Sequence, residues 1–113
     1  MDRDVKITES GNTLCAVICC EVDHHSAKRI REKIDCAIFE SKPQLLLIDF
    51  SEVSFMDSSG IAIIIGRARV CEAKGARVEA VGLSPLLMKL VCLAGVDKVK
   101  NLTVSGKSNE RIL

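Results

Sequence analysis

Leu45-Leu46-Leu47-Ile48-Asp49-Phe50 is an apolar run of strand length, and Phe55-Met56-Asp57-Ser58-Ser59-Gly60 leads from it into a helix. Ile61, Ile64, Ile65 and Ala68 recur at helical spacing, so an apolar helix face begins directly after Gly60. A buried strand that passes into a helix and then into another strand needs a crossover, and crossovers build parallel sheets. Ser58 falls near the N-cap of this helix, where its hydroxyl can accept a hydrogen bond from an unpaired backbone N–H. The same place suits an anion. A phosphoryl group there would meet backbone N–H groups and the positive end of the helix dipole. A hydroxyl that caps a helix and can also carry phosphate is a candidate switch.

The rest of the chain follows the same alternation. Val5–Ser10 and Thr13–Glu21 flank Gly11-Asn12 and read as a hairpin. Asp23-His24-His25-Ser26 opens a first helix, with Ala27, Ile30, Ile34 and Ala37/Ile38 on one face and Lys28, Arg29, Arg31, Glu32 and Lys33 on the other. Ser41-Lys42-Pro43 ends it. The second helix runs from about Ser59 to Lys74, with Gly75 as its stop. Arg77–Val81 reads as a strand, Ser84-Pro85 opens a third helix, buried through Leu83–Leu93, and Val99–Val104 reads as an edge strand. The order is β-β-α-β-α-β-α-β. The expected fold is α/β: one domain over residues 1–113, with a mixed, mostly parallel sheet and helices mainly on one face. The polar tail from about Ser105 is expected to fray or form a short turn.

Several function classes lack support. Lys and Arg total 16 against 15 Asp and Glu, a net charge of +1, which gives no pull toward nucleic acid or an anionic membrane. Aromatic residues are 3% of the chain, so no platform for stacking bases exists. No apolar run approaches the roughly 18–20 residues of a membrane span. The charged start, Met1-Asp2-Arg3-Asp4, does not read as a signal peptide. Cys15, Cys19, Cys20, Cys36, Cys71 and Cys92 fall within apolar elements and are expected to be reduced and mostly buried, in a cytoplasmic protein. Asp23-His24-His25 also spells part of a metal-dependent phosphoesterase signature. Adjacent helical residues do not face one another, the chain has only two His, and there is no C-x₂-C spacing, so no metal is assigned. Asp57-Ser58-Ser59-Gly60 is not G-x-S-x-G, so no serine hydrolase is read and the chain is not expected to be an enzyme.

Two blocks carry a family resemblance: Glu21-Val22-Asp23-His24-His25-Ser26-Ala27, and Val53-Ser54-Phe55-Met56-Asp57-Ser58-Ser59-Gly60-Ile61. Gly66-Arg67, Gly82-Leu83-Ser84-Pro85 and Leu93-Ala94-Gly95-Val96 extend it. From about Val5 to Leu102 the chain resembles the STAS-domain family, and within it the bacterial anti-sigma factor antagonists, most closely those of the sporulation sigma-F pathway. Cys20 and Ala62 stand where many relatives have Gly.

The resemblance implies a partner-switching mechanism. The unphosphorylated antagonist binds an anti-sigma factor, a serine kinase in its ATP-bound form, and the sigma factor is released. The kinase phosphorylates Ser58, which ends the interaction, and a serine phosphatase restores it. ATP and Mg²⁺ belong to the kinase, so no cofactor is assigned to this chain. The implied partner surface comprises Glu21, Asp23, Met56, Asp57, Ser58, Ser59, Gly60 and Ile61. Read without the resemblance, Ser58 and Asp23 would be ordinary helix caps. The alternative function is a STAS module that binds a nucleotide or lipid or supports a transport complex. Phosphate would add about −1.5 to −2 charges. The helix dipole favours it by about 0.3–1 kcal/mol, and Asp57 opposes it, so the expected change is in affinity, not in fold. Arg67, Arg69 and Arg77 are expected to be solvated, with Arg67 a candidate to reach a partner acid.

Overall fold

A computed structural model describes residues 4–107. The elements are β1 (Val5–Ser10), β2 (Thr13–Ile18), α1 (His24–Ser41), β3 (Leu45–Asp49), α2 (Ser58–Ala73), β4 (Arg77–Leu83), α3 (Pro85–Leu93), a 3₁₀ turn (Val96–Lys98) and β5 (Leu102–Gly106). The strands form one sheet in the order β1-β2-β3-β4-β5. The hairpin pair β1–β2 is antiparallel and every other pair is parallel, as the crossover pattern requires. Strand β5 is shorter than expected at its start, because Val96–Lys98 takes a 3₁₀ turn first. Ser105 and Gly106 complete β5, so the expected fraying does not begin there; the expectation for the tail beyond lies outside the described residues.

Alternation along the strands sets the core. Leu14, Ala16 and Ile18 of β2, Leu46 and Ile48 of β3, and Val78 and Ala80 of β4 share one sheet face and are fully buried. Their neighbours Cys15, Val17, Leu45 and Leu47 on the opposite face are only half-buried. Helices therefore cover one face. From α1, Ile30, Ile34 and Ile38 pack onto it. From α2 the buried positions are Gly60, Ile63, Ile64, Arg67, Ala68 and Cys71. The stripe is thus rotated slightly from the expected one: Ile64 and Ala68 belong to it, while Ile61 and Ile65 lie at its margin.

Two expectations of burial fail. Helix α3 is not a buried helix: only Leu87 and Val91 are buried, Met88 and Leu90 pack part-buried against the core, and Leu86 and Leu93 are 73% and 79% exposed. A nine-residue helix over the β4–β5 edge can bury one i, i+4 stripe and no more. Of the cysteines, all six are free but only Cys71 is buried; Cys36 and Cys92 are exposed. Helix membership did not decide their burial; the side of the helix did.

Candidate functional site

The two sequence blocks, some thirty residues apart, meet at one end of the sheet. Val22 and Met56 pair as an isolated parallel bridge. The Val22 N–H donates to the Phe55 carbonyl at 3.0 Å, and the Asp57 N–H donates to the Val22 carbonyl at 3.1 Å. Val22 and Met56 are both buried, so the bridge is anchored from below. Each bridged residue is followed directly by the residue that caps a helix. The N-termini of α1 and α2 are thereby set side by side.

Asp23 caps α1. Its Oδ1 accepts from the His25 and Ser26 N–H groups at 2.9 and 3.0 Å. Ser26 completes a reciprocal capping box: its Oγ accepts from the Asp23 N–H at 3.1 Å and donates to the Glu21 carbonyl at 2.8 Å. The hydrogen bond from the Ser26 N–H, followed by that from His25, holds the Asp23 carboxyl below its ordinary value of 3.8. Glu21 is exposed beside it.

The cap of α2 is Asp57, not Ser58. Asp57 has extended backbone (φ −102°, ψ −166°), and its Oδ1 accepts from the Ser59 N–H at 2.8 Å. Ser58 is instead the first helical residue, and it is exposed. The Asp57 carboxylate therefore does the capping, and Ser58 is left exposed to solvent. Ser59 and Asp57 are half-buried, and Ile61 is half-exposed on the next turn.

Gly60 and Met56 lie beneath this surface. Met56 is 5% exposed, and a Cβ added at Gly60 would run into its Cγ and Sδ atoms. Gly60 therefore makes room for Met56 inside the protein, rather than for an incoming group outside it. The loop before α2 is fixed from β4 as well. Asp49 Oδ1 accepts from the Ser51 N–H at 2.8 Å, and Gly82, at φ +74°, backs directly onto that contact.

The surroundings of Ser58 differ on its two sides. Toward α1 lies a groove of about 350 Å³ with His24, Lys28 and Arg31 on one wall and Ser59 and Ala62 on the other. Toward α3 lies a smaller apolar recess of about 200 Å³, formed by Phe55, Met56, Leu86, Leu87 and Leu90. Phe55 and Leu86 are exposed at its rim. Among the described residues no three His, Cys, Asp or Glu side chains are grouped to hold a metal ion.

Arg67 is not a solvated residue. It is 5% exposed, and its Nε lies 2.8 Å from Asp35 Oδ1 as a charge contact between α2 and α1, without the alignment of a hydrogen bond. Burial pulls the guanidinium below its ordinary value and Asp35 pulls the other way. Arg77, by contrast, is exposed and pairs with Glu79 at 3.6 Å.

Sequence reading missed the basic groove and the Asp35–Arg67 contact. Helical spacing does place His24, Lys28, Arg31 and Asp35 on one side of α1, but the spacing does not reveal that this side meets α2.

An exposed hydroxyl on the first turn of a helix, beside a second helix N-terminus and an apolar recess, can be modified in trans and can be read by a docking protein. A family model for the STAS domain matches residues 4–107. An anti-sigma F factor antagonist of Lysinibacillus sphaericus is 37% identical over 76 residues, which cover 67% of this chain and 65% of that protein. The solved structure of the anti-sigma factor antagonist SpoIIAA in its unphosphorylated form matches at a TM-score of 0.76 and 29% identity, over 94% of this chain and 89% of that one. The phosphorylated form of the Bacillus cell fate determinant SpoIIAA matches at 0.69 and 29% identity, over 94% and 92%.

Proposed function

This chain belongs to the STAS-domain family, and from that premise we propose that it is an anti-sigma factor antagonist working by partner switching. In this reading the unphosphorylated chain binds the ATP-bound form of an anti-sigma serine kinase, and a sigma factor of the sporulation type is released. Phosphorylation of Ser58 ends binding, and a serine phosphatase restores it. In the same reading the chain contributes no catalysis of its own and works in the cytoplasm.

The observation that carries the reading is the exposed Ser58, held beside the Asp23 cap by the Val22–Met56 bridge. The contact surface comprises Glu21, Asp23, Asp57, Ser58, Ser59 and Ile61, with Met56 and Gly60 shaping it from beneath. Exposed Phe55 and Leu86 add an apolar margin that a partner can bury.

Charge explains the switch. A phosphate at Ser58 brings about two negative charges to a surface that already holds Asp57 and Asp23. At roughly 6 Å and an effective dielectric near 20, each unit pair repels by about 3 kcal/mol before screening. A fraction of that, added to the cost of desolvating a dianion on docking, weakens binding at least about tenfold. The direct test is mass measurement and phosphopeptide mapping after incubation with an anti-sigma kinase and ATP. One added phosphate on Ser58 supports the reading; no transfer, or transfer to Ser59, refutes it.

A further inference from the structure

Of the groove between α1 and α2, only Ser59 belongs to the proposed contact surface. His24, Lys28 and Arg31 lie at i, i+4 and i+7 on α1, so they form one wall. No carboxylate lines the groove. The next acidic residue along that side, Asp35, is already engaged by Arg67. Neither Lys28 nor Arg31 takes part in an ion pair among the described residues. On the α2 wall, Ser59 supplies a hydroxyl and Ala62 leaves the floor open.

Ser58 is four residues before Ala62 and so lies one turn above it on the same side of α2. Ser58 also directly precedes Ser59, which lines the groove, so residue 58 lies at the groove's N-terminal edge. A phosphoryl oxygen on Ser58 reaches farther than the hydroxyl does, and Lys and Arg side chains are long enough to come toward it. The α2 N-terminus adds its own positive potential at the same place.

We propose that this groove is a phosphoryl-binding site that receives, in cis, the phosphate carried by Ser58; the proposal rests on Ser58 being the phosphoacceptor. Lys28 and Arg31 provide the charge, and the Ser59 hydroxyl provides a donor. The modified chain then leaves its partner with the new dianion already paired within its own fold. Partner release and phosphate capture become one event.

The test uses full-length chain with phosphoserine installed chemically at position 58, so that no kinase is needed. Its second ionisation is followed by ³¹P NMR in wild type and in the double variant Lys28→Gln/Arg31→Gln. The groups that face the phosphate are His24, Lys28 and Arg31 from α1, the caps Asp23 and Asp57, and the exposed Glu21; only Lys28 and Arg31 differ between the two chains. Nearby cations favour the dianion, so wild type should titrate lower than the double variant by roughly half a unit or more. Both replaced residues are exposed, so the fold should be retained. Equal ionisation in the two chains would overturn the proposal. A second arm separates the other source of phosphate, the nucleotide of the kinase. If the double variant ionises as wild type does but binds the ATP-bound kinase more weakly, the groove reads phosphate in trans and capture in cis is wrong. A kinase that modifies a residue other than Ser58 would instead end the switch reading, without altering the NMR result.

Discussion

Val22 and Met56 pair through a single parallel bridge, and Met56 also fills the space over Gly60. One buried methionine therefore ties the α1 cap loop to the first turn of α2. Gly60→Ala would gain helix propensity of about 1 kcal/mol but must push Met56 aside. Overpacking of this kind costs about 1–3 kcal/mol, so a net loss of stability is expected in urea titrations. In a Met56→Ala background the clash is gone, and Gly60→Ala should then cost nothing or stabilise. Equal effects in both backgrounds would mean that Met56 is not the reason for the glycine.

The Asp35–Arg67 contact should respond asymmetrically. Asp35 keeps 39% of its side chain in solvent, whereas Arg67 keeps 6%. Asp35→Ala strands a buried cation and should cost about 2 kcal/mol or more. Arg67→Met leaves a carboxylate that water can reach and should cost less than about 1 kcal/mol. Chemical denaturation of the two variants measures the order, and the reverse order would show that the contact is not limited by the buried arginine.

Asp23 adds a pH dependence with a definite sign. Folding lowers its carboxyl below 3.8 through the Ser26 and His25 N–H groups. The stabilisation is therefore fully present above the ordinary carboxylate range and is lost as pH falls through the lowered value. Asp23→Asn keeps a competent cap and should leave stability near neutral pH almost unchanged. It should also reduce the loss of stability between about pH 4 and pH 2. In the proposed contact surface Asp23 faces the partner, so the same change is expected to weaken binding to the proposed anti-sigma kinase in a calorimetric titration. Undiminished binding would make Asp23 a cap alone.

Thiol reactivity should rank by position. Cys36 and Cys92 are exposed, whereas burial pushes the Cys71 thiol up. An uncharged alkylating reagent should modify Cys36 and Cys92 first and Cys71 only on unfolding, as read by peptide mapping. Early modification of Cys71 would place it outside the core.

The fold was legible because each strand announces itself by apolar runs or alternation and each helix by its stripe and its cap residues. Asp23, Ser84-Pro85 and Gly75 punctuate the chain where the helices begin and end. What the sequence did not disclose depends on contacts between distant segments. Asp57 outcompeted Ser58 for the cap because it precedes the first helical residue, a one-residue distinction that periodicity does not resolve. Leu86 and Leu93 look like core residues until α3 is placed at the sheet edge. Arg67 looks solvated until Asp35 is found opposite it. Met56 and Gly60, placed on the partner surface by the family resemblance, are both buried and lie against each other.

The switch at Ser58 is tested most directly by titrating purified anti-sigma kinase, in the presence of ATP analogue that cannot transfer phosphate, with wild type, Ser58→Ala and Ser58→Asp chains. Ser58 is exposed on the first turn of α2 and does not cap it, so both variants should remain folded with little change in stability. Ser58→Ala should bind as wild type does, whereas Ser58→Asp should bind at least about tenfold more weakly. Ser58→Asp binding as tightly as wild type, with its fold intact, would contradict a charge-driven switch at this residue.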